Sequence, residues 1–249
     1  NEQSKKGQIP NAVDKFSKRK HHVDFQTLDS SLWFIIGHFA YKKKFKDNEL
    51  FNKNKNKINK ALFWISQLDT GEDGMPEQLP TTDWQDAFPH RYGHTINTQA
   101  LYYKCLVLLG KNKEAQHIKK QVNHNSDVSL WNGNFYLPWR WKNHNKYQEK
   151  GEWFDSLGNL LAIIFNLADN NQANKILNHI EKNNINKPYP IKAIYPPILK
   201  GSKDWQDYFN DAESKTPYHY LNGGIWTYIG GFYIIALIKQ RKFEKAEIE

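Results

Sequence analysis

The twenty-two residues TDWQDAFPHRYGHTINTQALYY, from Thr82 to Tyr103, hold the densest group of chemically capable side chains in this sequence. They include two carboxylates (Asp83, Asp86), Trp84, Arg91, the histidines His90 and His94, and three tyrosines, in a run broken by Pro89 and Gly93. Sugars offer C–H faces to stack on and hydroxyls to hydrogen-bond, so carboxylates, ring faces and planar donors together suit a carbohydrate site. The competing reading is a polar loop that caps a buried helix, because titratable groups also gather in structural networks.

Metal chemistry fits the sequence poorly. Asp69, Asp73 and Gly74 look like the opening of a calcium loop, but Gly71 falls on a ligand position and Pro80 where the closing Glu is required. His90 and His94 are four apart, yet Pro89 and Gly93 argue against one helical face. His21 and His22 are adjacent and would face apart on any regular element. Cys105 is the single cysteine, set among Leu, Val and Tyr, so neither a disulfide framework nor a cysteine metal site is available. No metal or organic cofactor is expected.

Composition narrows the class. Nine Trp, 13 Tyr and 14 Phe within a 39% hydrophobic fraction mark a globular chain. The net charge of +9 invites a nucleic-acid reading, but the lysines lie in Asn-rich runs such as KNKNKINK (53–60), as on solvated helix faces. No recognition helix, RNA-binding aromatic motif or zinc-finger spacing accompanies them, so no nucleic-acid partner is expected. No apolar run is long enough to span a membrane and no signal peptide opens the chain, which points to the cytoplasm. The chain starts at Asn1 without Met and ends at Glu249 inside an amphipathic run, so a fragment of a longer protein is expected.

These candidate residues must be held by helices. Leu32, Ile35, Ile36 and Phe39 make an apolar stripe over 29–43, with Asp29 or Ser30 as its cap, and a more polar helix follows over 48–67. The loop 69–93 is too long for an idle connection. Helices are expected at 96–110, 113–122, 158–168, 172–182, 223–239 and from 243 onward. Between them, VSLWNGNFYLPWRWK (128–142) reads as strand or extended loop, its Trp131, Phe135, Tyr136 and Trp139 being either a sugar platform or core.

The spacing repeats. Asn97, Asn159 and Asn222 head strongly apolar helices 62 and 63 residues apart, and Asp29 heads another, 68 residues before Asn97. Each apolar helix is followed by an amphipathic one, the mark of a helical-hairpin repeat with an apolar inner and an amphipathic outer ring. All inner N-termini, with their free N–H donors, then converge on one end, where a ligand site belongs.

Three segments carry a family likeness: TTDWQDAFPHRYGHTINTQALYY, EWFDSLGNLLAIIFNLAD (152–169) and PYHYLNGGIWTYIGGFYIIAL (217–237). Together they resemble the six-hairpin (α/α)6 toroid glycoside hydrolases, nearest the amylo-α-1,6-glucosidase domain of glycogen debranching enzymes and the neutral/alkaline invertases. The resemblance implies an all-α fold, here a single catalytic-type toroid domain over residues 1–249 that is incomplete at both ends. It implies an inverting hydrolase of an oligo- or disaccharide, debranching-like first and sucrose-splitting as the alternative, with a catalytically incomplete sugar-binding toroid also open. Asp86, seven residues before Gly93, matches the family's general acid and would need burial beside Trp84 or Phe88 to keep its proton. The base is a Glu that the resemblance places beyond residue 249, with Asp155 and Asp207 as weak fallbacks in the chain. Asp29, Trp33, Asp83, Trp84, Arg91, Tyr92 and Gln99 fall where sugar contacts are expected, as do His219, Asn222 and Trp226, with Asp155 and Asn159 just behind. Gly223 and Gly224 would let backbone approach the ligand. DWQD occurs twice, at 83–86 and 204–207, and only the first copy carries the flanking Gly93 and Asn97 helix.

Overall fold

The computed structural model describes residues 2–14, 22–124, 127–143 and 147–249; His21, half of the predicted histidine pair, lies outside them. Among these described residues eight α-helices follow one another as four hairpins, α1 (Asp29–Phe45) with α2 (Glu49–Ser66), α3 (Ile96–Leu108) with α4 (Asn112–His124), α5 (Ser156–Ile164) with α6 (Asn170–Lys182), and α7 (Thr227–Lys239) with α8 (Phe243–Ile248). Along the inner layer α1 packs on α3, α3 on α5 and α5 on α7. This is the hairpin arrangement of an α/α toroid.

Sequence explains which helices go inside. In α3 and α5 nearly every position is buried, on all sides, and so are the polar residues of each first turn, Asn97, Thr98 and Gln99 in α3 and Ser156 and Asn159 in α5. By contrast α4 and α6 bury one stripe each, Ala115, Ile118 and Val122 in the first and Ala173, Ile176, Leu177 and Ile180 in the second. Gly158 lets the inner pair approach: a Cβ there would sit 2.5 Å from Ile96 Cγ2 and 2.9 Å from Asp155 Oδ2. Burying one Leu or Ile side chain on these helices is worth about 1.5–3 kcal/mol.

Helix ends are closed locally. Thr95 caps α3 by accepting from Thr98 N–H, Asp155 caps α5 through Gly158 N–H, and Asp169 with Gln172 forms a capping box on α6. At α1 the expected cap is absent. Asp29 is already the first helical residue, and its Oδ2 accepts from Trp84 N–H at 2.9 Å, so the carboxylate ties the 82–86 loop to the helix instead.

Short strands sit among the loops before the inner helices. β3 (His94–Thr95), β4 (Trp139–Asn143) and β5 (Tyr147–Lys150) form an antiparallel sheet with His94 opposite Arg140; β6 (Phe154–Asp155) pairs with β7 (Ile194–Tyr195), and β1 (Ala12–Asp14) with β2 (His22–Asp24). A second small core of Phe88, Trp139, Trp153, Ile194, Ile198, Phe209 and Leu221 packs these loops together. The stretch 128–142 is thus extended as expected, and Phe135, Tyr136 and Trp139 are buried core, not a sugar platform. The apparent calcium loop is a turn held by Asp69, whose carboxylate accepts from Asp73 N–H and Gly74 N–H. Among the described residues no group of three His, Cys, Asp or Glu side chains is arranged for a metal. None of the described helices is long and apolar enough to cross a membrane.

Candidate functional site

A groove of about 590 Å3 opens at the N-terminal end of the inner helices. Its walls are Thr27, Asp29, Ser30 and Trp33 at the head of α1, Asp83, Trp84 and Asp86 on the loop before α3, and Tyr228 and Phe232 on α7, with Asn11 and Leu157 of α5 completing them. The Trp33 and Phe232 ring centroids lie 5.9 Å apart, and Trp84 meets Tyr228 edge-on at 5.7 Å and Trp226 at 6.5 Å. The groove therefore combines ring faces with carboxylates, as a sugar site requires. Tyr228 and Phe232 were not foreseen; their i, i+4 spacing on one face of α7 was the available signal.

Beneath the groove lies a fully buried ionic hub. Arg91 donates through Nη2 to Asp83 Oδ2 at 2.5 Å and through Nη1 to Asp155 Oδ2 at 2.6 Å, with no side chain of the three exposed. Asp83 also accepts from Gln78 Nε2 and Gln85 N–H. One guanidinium faces two carboxylates, so the hub carries excess negative charge and resists ionising another acid nearby. Burial pushes Asp155 up against the pull of Arg91. Burial, with the charge of Asp83 second, raises Asp29 to about 6.

The expected acid and its expected environment separate here. Asp86 lines the groove but is exposed, and Phe88 is buried in the loop core. The burial that was to hold a proton on Asp86 belongs to Asp29 in this structure, because Asp29 lies under the loop and Asp86 on its outer turn.

Several expected sugar contacts are structural. Arg91 is wholly enclosed in the hub. Gln99 is buried and donates to the Pro76 carbonyl. Asn159 accepts from Tyr136 N–H and donates to Tyr136 O, clipping an incoming loop to α5; Asn222 does the same with Ile198 N–H and O, but from the turn ahead of α7, which begins at Thr227 and not at the expected residue 223. Of the four residues expected to head inner helices, Asp29 alone lines the groove, and Asn97 is buried. Tyr92 stacks on Trp139 at 4.6 Å and its hydroxyl binds Glu149, on the far side of the loop. His219 is exposed in the turn before Asn222, outside the groove, and Trp226 stands behind Trp84 with its Nε1–H on Tyr220 O. Gly223 and Gly224 are buried in that turn, where a Cβ on Gly224 would meet Tyr220 O at 2.3 Å, so they serve the turn and not a ligand. Neither fallback base faces the groove: Asp155 is in the hub and Asp207 is exposed in the short 3-10 helix Asp207–Asp211. The histidines His90 and His94 diverge, one bonded to Tyr208 and the other beside Asp73 at 3.5 Å.

A family model described as alkaline and neutral invertase matches residues 146–248. The chain is similar to the alkaline and neutral invertases. It is 27% identical to neutral/alkaline invertase 1, mitochondrial, of Oryza sativa subsp. japonica over 88% of this chain and 43% of that protein. It is 34% identical to alkaline/neutral invertase E, chloroplastic, of Arabidopsis thaliana over 38% of this chain and 15% of that protein. The chain thus spans about two fifths of the length of the rice invertase. Among solved structures, a rhamnosidase from Klebsiella oxytoca with rhamnose bound matches with a TM-score of 0.58 at 14% identity, over 98% of this chain and 40% of that one. That likeness supports the toroid fold.

Proposed function

We propose that the groove is the sugar site of an inverting glycoside hydrolase acting on an α-glucoside, with Asp86 as general acid and sucrose as the first candidate substrate. The observation that carries this is the meeting of Asp86 and Asp29 with Trp33, Trp84 and Tyr228 at the heads of the inner helices. Sucrose moves ahead of an α-1,6-branched glucan because the relatives named above are invertases. Asp86 takes the acid role through its place on the groove, within reach of a sugar that fills it. Asp29, tied to Trp84, fixes the loop and offers its second oxygen to a sugar hydroxyl. The water-activating carboxylate is assigned to a Glu on the opposite face, which in inverting enzymes stands roughly 6.5–9.5 Å from the acid. The chain is treated as a single domain located in the cytoplasm, although the relatives carry organellar names.

Proton NMR of the sugar released from sucrose and from an α-1,6-branched glucan by the complete gene product tests the reading. Early β-glucose from sucrose, lowered at least about a hundredfold in Asp86→Asn, is the expected result. Release from the glucan alone moves the substrate to the debranching class. Wild-type rates in Asp86→Asn would sink the acid assignment, and no release from either sugar would leave a binding toroid.

A further inference from the structure

A second cavity, also about 590 Å3, lies behind the wall of the groove. The two share a backbone partition. Leu28 N–H donates to Thr82 O at 2.8 Å, and the chain on either side alternates: Gln26 and Leu28 line the rear cavity, while Thr27 and Asp29 line the groove. Thr82 likewise faces back, and Asp83 and Trp84 face forward.

The lining of the rear cavity has a consistent chemistry. Three half-buried rings, Trp64, Tyr92 and Trp141, supply apolar faces. Four amides line it; Gln78 is committed to Asp83, Thr95 and Thr98, while Gln8, Gln26 and Gln67 supply donors and acceptors, two of them steadied by donating to backbone: Gln8 to Phe25 O and Gln26 to Thr81 O. No Lys or Arg is among the lining residues, and the ionisable ones are Glu77 and His90. An anionic ligand finds no counter-charge there. A purely apolar one would strip water from the amide oxygens of Gln26 and Gln67 and offer them no donor in return, which is costly. A neutral polyhydroxylated ring satisfies both halves, its C–H face on an indole and its hydroxyls on amides, and the volume is within the usual range for a small-ligand site.

We propose that the rear cavity is a second, non-catalytic binding site for a neutral sugar. It has no carboxylate placed like Asp86, so it holds and does not cleave. Because Gln26–Leu28 and Thr82 form its wall, its occupant bears on the same backbone that carries Asp29 and Trp84. The inference stands on this lining alone and does not require the groove to be catalytic.

Indole N–H NMR of the chain, titrated with sucrose and with maltotriose, tests it, with Trp64→Phe and Trp141→Phe used to assign the two signals. Shifts of the Trp64 and Trp141 signals that persist in Asp86→Asn and weaken about fivefold or more in Gln26→Leu are expected. Gln67→Ala, on the exposed rim, gives the same readout without disturbing the partition. Absence of shifts with either sugar up to about 50 mM, well above millimolar affinity, overturns the proposal. So do shifts that neither Gln26→Leu nor Gln67→Ala weakens. Hydrolysis without these shifts removes this site and leaves the groove's reading intact; shifts without hydrolysis do the reverse.

Discussion

Asp29 is the residue whose protonation the fold controls most visibly. It sits at the first turn of α1, beneath the 82–86 loop and beside a hub with two carboxylates to one guanidinium. Its carboxyl titrates near 3.8 when solvated and is raised to about 6 in the fold, burial being the larger cause. The folded state therefore holds a proton that the unfolded chain releases between those values. Its contribution to stability is fully present below pH 3.8 and is lost as pH rises to about 6, amounting to at most about 3 kcal/mol. Asp29→Asn keeps an oxygen for Trp84 N–H and has no charge to desolvate. Its stability relative to wild type should therefore rise between pH 4 and 6 and stay higher at pH 7. Urea unfolding of both proteins at pH 3.5, 5 and 7 measures this, and parallel pH profiles would show that Asp29 ionises in the fold as it does in water.

At the scale of elements, Arg91 joins three segments: its own loop, the Asp83 turn and the start of α5 through Asp155. Removing one member of a buried ion network costs more than the network contributes, because the remaining charges lose their partner. Arg91→Met should cost about 3–5 kcal/mol at neutral pH, and less in acid, where Asp155, whose carboxyl burial already pushes up, can take up a proton. Arg91→Lys should not restore it, since one ammonium cannot reproduce a planar fork bridging two carboxylates. A loss under about 1 kcal/mol by urea unfolding at pH 7 would show that water reaches the hub. This network also marks where the sequence stopped being legible. The helices could be read because burial writes a 3.6-residue period into residue types, as in Leu32, Ile35 and Phe39 or Ile176 and Ile180. Asn159 and Asn222 both act as loop clips, although Asn222 lies ahead of α7 and not at its head, and that role depends on backbone groups of Tyr136 and Ile198, 23 and 24 residues away. No local pattern encodes such a partner. A polar residue at a helix head looks the same whether it faces a ligand or a loop, and Arg91 and Gln99 were misplaced for that reason.

For the molecule as a whole, position in the arc sets how strongly each helix is held. Inner helices α3 and α5 have an inner neighbour on each side, whereas α1 and α7 have one each. The end helices accordingly expose apolar side chains, Tyr41 and Phe45 on α1 and Ile235 and Ile238 on α7, while α8 buries none of its residues. Opening α1 or α7 breaks one interface with another inner helix; opening α3 or α5 breaks two and also splits the Arg91–Asp155 pair. Local opening energies follow the buried area lost, so the slowest amide exchange in the chain should fall in α3 and α5, close to the global unfolding rate. Exchange should be faster in α1 and α7 and fastest in α8. Saturating the groove with sugar should then slow exchange most in the first two turns of α1 and α7, because Asp29, Trp33, Tyr228 and Phe232 all sit there and a bound ring would bridge the two ends. Hydrogen exchange with and without about 50 mM sucrose measures both orders. Protection that grows equally in every helix would mean that the sugar stabilises the fold globally without bridging the arc, and slowest exchange in α7 would overturn the ranking itself.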